Sequence, residues 1–81
     1  MRQLITSPGQ VGEIIRSRRK ARRIAQQTLA TQLQLSQSRL STLESAPGDL
    51  TLSRLITLAN LLGLEISIQD KAEGTSPQTD W

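Results

Sequence analysis

Eighty-one residues allow one small domain at most, since a domain usually takes roughly 100 to 200 residues. Cys and His are both absent, which excludes disulfide staples, zinc sites of the usual kind, thiolate nucleophiles and imidazole acid–base catalysis. The net charge of +3 is unevenly spread, because residues 1–54 hold nine basic and three acidic side chains and residues 55–81 one basic and four acidic.

Phe and Tyr are absent too, and Trp81 is the only aromatic residue, so the core must be built from thirteen Leu, seven Ile, one Val and some Ala. Such an aliphatic core suits helix packing. No apolar stretch approaches the ~20 residues that cross a bilayer, and no signal-peptide pattern opens the chain. A cytoplasmic, nucleoid-associated location is expected. Nothing calls for a cofactor or a metal. The serines lack a His or a plausible Lys base, no glycine-rich phosphate loop is present and no carboxylate pair stands out by spacing, so an enzyme is not expected.

Along the chain, Ser7-Pro8 reads as an N-cap followed by proline at the first helical position. Val11, Ile14 and Ile15 then form a helical stripe that runs into six basic residues between Arg16 and Arg23. A short helix follows over Gln26 to Leu33. Gln34-Leu35-Ser36 reads as a turn with Ser36 as the cap of the next helix, Gln37 to Ser45, whose only apolar residues are Leu40 and Leu43. Ala46-Pro47-Gly48-Asp49 is the strongest turn signal. Thr51 caps a further run with Leu52, Leu55, Ile56, Ala59 and Leu62 at helical spacing, Leu58 and Leu61 on a second face, and Gly63 as the stop. From Leu64 to Gln69 the pattern alternates with period two, which predicts one strand; residues 70–81 lack apolar periodicity and are expected to form a flexible tail.

Two short helices joined by a tight turn, the second with a polar face, have the proportions of a helix-turn-helix. Gln26 to Leu33 is the expected scaffold helix and Gln37 to Ser45 the recognition helix. Leu29, Ala30, Leu35, Leu40 and Leu43 make their shared core, with Ala30 small enough to let the helices cross closely. The exposed residues Gln37, Ser38, Arg39, Ser41 and Thr42 are the candidates for DNA contact: Gln can pair with adenine N6 and N7, Ser and Thr with several bases, and Arg with guanine or phosphate. Gln37, Ser38 and Ser41 rank as base readers. Arg39 is divided between phosphate and base, and Gln26 can offer side chain and backbone N–H to phosphate. The bland alternative for this face is an ordinary solvated helix surface. Within the basic run, phosphate contact by residues such as Arg22 and Arg23 is preferred over a purely solubilising role, and over a membrane-surface helix, which lacks an aromatic wedge.

These residues resemble the Xre/Cro-type DNA-binding domains over the run from Ile15 to Leu64: Arg19, Gln26, Leu29-Ala30, Leu33, Leu35-Ser36, Leu40-Ser41, Leu43-Glu44, and Leu52 and Leu55 with Ala59 and Leu62. The resemblance implies a mainly α fold of four helices and a pairing of Arg19 with Glu44 that ties the first helix to the third. Three positions depart from the pattern: Ala25 where a capping Ser or Thr is usual, Gln34 in place of a turn Gly, and Arg18 where an apolar residue is common.

A lone strand needs a neighbour. The expected solution is a homodimer in which two copies of Leu64–Gln69 pair about a two-fold axis and bury Leu58, Leu61, Leu64, Ile66 and Ile68, matching a palindromic double-stranded operator with half-sites about 34 Å apart. Pairing with Gln3–Thr6 of the same chain is the alternative. The expected organisation is a DNA-binding and dimerisation domain over 1–69 and a tail over 70–81. A helix-turn-helix that ends in a strand and a polar tail finishing in Trp81 looks like HipB-type antitoxins, which implies autorepression and neutralisation of a HipA-type serine/threonine kinase toxin of one or two chains, with Trp81 as an anchor in the partner. A free-standing or phage-type repressor without a toxin, and a kinase-binding module without sequence-specific readout, are the alternatives.

Overall fold

The computed structural model describes residues 2–71. Four helices follow one another: α1 (Pro8–Ala21), α2 (Gln26–Gln32), α3 (Gln37–Ser45) and α4 (Leu52–Leu61), with a 3-10 turn at Pro47–Asp49 between the last two. The mainly α architecture expected from the periodicity is the one observed.

Helix starts follow local chemistry. Gln10 organises the first turn of α1, its Oε1 accepting from the Ser7 N–H at 3.0 Å and the Thr6 N–H at 2.6 Å while its Nε2 donates to the Leu4 carbonyl at 3.2 Å. The Ser36 hydroxyl accepts from the Arg39 N–H at 3.0 Å and the Thr51 hydroxyl from the Arg54 N–H at 3.2 Å, closing the first turns of α3 and α4. Ala25 at the start of α2 provides no side-chain cap.

Three helices stop by one device. Arg23, Gln34 and Gly63 take φ of 56°, 59° and 71°. In each case the next amide reaches back five residues: Ile24 to Arg19, Leu35 to Ala30 and Leu64 to Ala59, at 3.0, 2.9 and 2.8 Å. This is the Schellman pattern, in which a left-handed residue satisfies the last carbonyls and drops an apolar side chain onto the core. Ile24, Leu35 and Leu64 are accordingly half-buried against it. Leu35, expected within the shared core, thus seals its rim.

The core is aliphatic. Leu29, Leu40, Leu43, Leu58 and Leu62 are fully buried, with Ile15, Ala30, Leu33 and Ala59 around them. Leu58 is therefore packed inside the single chain and is not available to an interface, contrary to the expectation that it serves dimerisation. Helical spacing could not separate the inner face of α4 from its second face, because nearly every apolar position in it is Leu or Ile. Within the single chain no strand is present among the described residues, so neither Leu64–Gln69 nor Gln3–Thr6 is in a strand. Trp81 lies outside the described residues.

Candidate nucleic-acid interface

The α2–turn–α3 unit rests on a buried polar joint. Glu44, on α3, is 3 % exposed. Its Oε2 accepts from Arg19 Nε at 2.7 Å and its Oε1 from Arg19 Nη2 at 3.1 Å, a two-point ion pair from α1. Arg19 Nη1 also donates to the Ile24 carbonyl at 3.1 Å, fixing the link between α1 and α2. Gln26 Nε2, from the first residue of α2, donates to Glu44 Oε1 at 3.1 Å. One carboxylate therefore ties three helices together, and among the described residues no buried side-chain polar atom is left unpaired. The Arg19–Glu44 pairing that the family resemblance implied is present.

Alongside this joint, α1 crosses the end of α3 so closely that a Cβ on Gly12 would fall on the Glu44 carbonyl oxygen and press on Pro47. Gly12 was not singled out in the sequence. A lone glycine inside an otherwise regular helical pattern is the signal that marks such a crossing.

The opposite face of α3 is open. Gln37, Ser38, Arg39, Ser41 and Thr42 are all exposed, while Leu40 and Leu43 point inward. The Thr42 hydroxyl donates to the Ser38 carbonyl at 3.1 Å, which leaves its oxygen as an acceptor. Gln37 Nε2 donates to Gln26 Oε1 at 3.3 Å. Gln26 is therefore engaged at both ends of its amide by protein groups and supports Gln37, with the second hydrogen of its Nε2 outside these two contacts. Ser36 is a cap, as expected, and Ala30 is fully buried where α2 meets α3.

The basic run is less free than its charge suggests. Arg19 is buried against Glu44, and Arg16 Nε lies 3.8 Å from the same carboxylate. Arg18 Nε donates to the Leu62 carbonyl at 3.1 Å, so its charge sits at the C-terminal end of α4, which explains a cation where an apolar residue is common. The Arg22 guanidinium packs against Gly63 at the same end of α4, filling the space a Cβ there would need. Both Arg22 and Arg23 are exposed, but the contact with Gly63 directs Arg22 toward α4. Among the described residues no His, Cys, Asp or Glu cluster could hold a metal, and no helix is long and apolar enough to cross a membrane.

A polar recognition helix seated on a buried Arg–Glu joint defines the class, and the helix-turn-helix family model matches residues 15–69: the chain belongs to the Xre-type helix-turn-helix family and is a DNA-binding domain. Within that class it is similar to HipB structures. A chain of the HipA–HipB–O2–O3 complex superposes with a TM-score of 0.75 at 26 % identity, over 86 % of this chain and 99 % of that one. A complex of a HipB variant with an O2 20mer gives 0.76 at 25 % identity, over 88 % and 99 %. The HipB–O1–O2 complex gives 0.74 at 26 %, over 85 % and 100 %. No curated sequence matches the chain.

Proposed function

We propose that this protein is a HipB-type antitoxin: a homodimeric, sequence-specific autorepressor that also binds and neutralises a HipA-type serine/threonine kinase toxin. The carrying observation is the exposed polar edge of α3, with Gln37, Ser38, Arg39 and Ser41 presented on a helix locked in place by Glu44. In this reading Gln37, Ser38 and Ser41 touch base edges, Thr42 and Arg39 base or phosphate, and Arg23 and Arg22 phosphate. Similarity along the full length of HipB chains that form complexes with HipA and with O1, O2 and O3, which we read as operators, supports both partners.

The dimer reading rests on apolar surface that the single chain leaves open. Ile66 and Ile68 are 47 % and 98 % exposed on a segment that is in no helix or strand, and Leu61 at the end of α4 is 36 % exposed. Residues 1–69 form the DNA-binding and dimerisation unit in this scheme, and 70–81 the toxin-facing tail with Trp81 as its anchor.

Fluorescence anisotropy tests the DNA reading, with the inverted repeat upstream of the protein's own gene against a scrambled duplex across a salt series. Wild type is expected to prefer the repeat by ~10³ or more. Replacing both Gln37 and Ser41 with Ala should leave weak, steeply salt-dependent binding. Equal binding of both duplexes by both proteins defeats sequence readout and favours an interaction module. Deletion of residues 75–81 tests the toxin reading: it should abolish capture of the kinase and spare DNA binding, whereas unchanged capture removes the tail from the interface.

A further inference from the structure

We infer that Arg18 fixes the spacing between the two half-sites that the dimer accepts, by tying the segment after α4 to the helix that carries α3. The inference rests on the dimeric, DNA-reading role proposed above, and its test separates the two.

Arg18 and Arg19 are neighbours on α1 and reach different elements. Arg19 donates to the Glu44 carboxylate of α3 at 2.7 and 3.1 Å. Arg18 Nε donates to the Leu62 carbonyl at 3.1 Å, where α4 ends. Gly12 strengthens the first link, since its missing side chain lets α1 rest on the Glu44 backbone. Because α1 is one unbroken helix of 14 residues, both links attach to a single stiff rod. Two adjacent side chains thus connect the recognition helix to the point from which residues 64–69 leave the core.

The second link matters because the local chain leaves that exit free to turn. The stop of α4 satisfies the carbonyls of Ala59 and Asn60 with the Leu64 and Gly63 amides and leaves the Leu62 carbonyl for Arg18. Gly63, at φ 71°, is the residue whose backbone turns most readily. Leu58 and Leu62 seat α4 in the core, but apolar contact has no preferred direction. A hydrogen bond has one, and a guanidinium at the C-terminal end of a helix is also favoured by charge. The Arg22 guanidinium, from the same α1, packs against Gly63 and narrows the space into which it turns.

In the dimer, residues 64–69 carry the two-fold contact and α3 the base contacts. The path between them within each protomer therefore sets how far apart the two recognition helices stand and how they are turned. One inserted base pair moves a half-site by about 3.4 Å and rotates it by roughly 34°, so a stiff path accepts one spacing and a loose path several. Arg18 is a positioning residue in this scheme and need not touch DNA.

The test uses duplexes carrying the inverted repeat upstream of the gene with one or two base pairs inserted or removed at its centre, and a duplex with a single half-site. Binding is measured for wild type, Arg18→Met and Arg18→Gln. Gln places its Nε2 as far along the side chain as the Arg Nε and can donate to Leu62, whereas Met fills the same length without a donor. Thermal melting verifies each fold, and Arg18→Leu takes the place of Arg18→Met if the latter does not fold. Wild type should lose ~10²-fold or more in affinity for a change of one base pair. Arg18→Met should lose about tenfold or less for the same change and bind the single half-site as wild type does, while Arg18→Gln keeps the narrow profile. An equally narrow profile in Arg18→Met, a loss of the same size on every duplex, or a broadened profile in Arg18→Gln overturns the link and leaves the dimer standing. A wild-type protein that sediments as one chain, or binds every spacing alike, overturns the dimer reading and the inference with it.

Discussion

Gly12 and Gly9 stand three residues apart on α1 and should respond to the same substitution with opposite signs. A methyl on Gly12 meets the Glu44 backbone carbonyl, which cannot move without shifting α3, so Gly12→Ala should lose about 1–3 kcal/mol through overpacking. Gly9 has no neighbouring atoms within reach of a Cβ, and Gly9→Ala should gain up to about 1 kcal/mol because alanine loses less backbone freedom in a helix. Urea denaturation of both variants checks the pair, and equal effects would mean that the α1–α3 crossing is looser than drawn. Gln34 holds a left-handed φ of 59° that disfavours any side chain, so Gln34→Gly should raise stability by about 1 kcal/mol in the same assay. Both effects were partly legible in the sequence: Gln34 departs from the glycine usual in such turns, and Gly12 interrupts a helical run.

At the scale of the element, each short helix depends on its ends, since a helix of two turns has almost as many unsatisfied backbone groups as satisfied ones. Ser36 satisfies one amide of α3, and Ser36→Ala should cost about 1 kcal/mol and weaken operator binding by loosening the reading helix. α2 offers the reverse case. Ala25 has the extended backbone of a cap (φ −67°, ψ 146°) but no side-chain acceptor, so Ala25→Ser should add about 0.5–1 kcal/mol, read as a higher melting temperature. Helix starts were predictable because a cap is a contact between residues three apart in sequence. The stops at Arg23 and Gln34 were harder to see than the one at Gly63, because arginine and glutamine do not advertise a left-handed conformation.

For the molecule as a whole, the surface offers aliphatic residues on α4 and on the segment after it for a partner to cover. Leu52, Ile56, Ile66 and Ile68 remain exposed in the single chain, although Leu58 and Leu62 of the same region are buried. If a second copy covers them, the double variant Ile66→Asp with Ile68→Asp should sediment at the mass of one chain where wild type sediments at two. It should also lose most of its affinity for a two-half-site operator, because each protomer then binds alone. A wild-type protein that sediments as a single chain would turn that surface toward a different partner. The charge distribution belongs to this scale as well. Arg16, Arg18 and Arg19 are held by Glu44 and by the end of α4, so the salt dependence of DNA binding should reflect fewer cations than the basic run contains.

The sequence alone determined the order of the helices, the bounds of the recognition helix and the aliphatic nature of the core, because periodicity, caps and turn residues act over three or four positions along the chain. It also placed Gln37, Ser38, Arg39, Ser41 and Thr42 on an exposed face, since the apolar residues of α3 fix which side turns inward. The tertiary structure decided everything that depends on contacts between distant segments. It made Gln26 a bridge between Glu44 and Gln37, drew Arg18 and Arg22 to the end of α4, and put Leu58 inside the protomer. No pattern in one helix states which neighbour another helix will bring to it; that follows only when the aliphatic faces pack and the buried polar groups find the partners that burial requires.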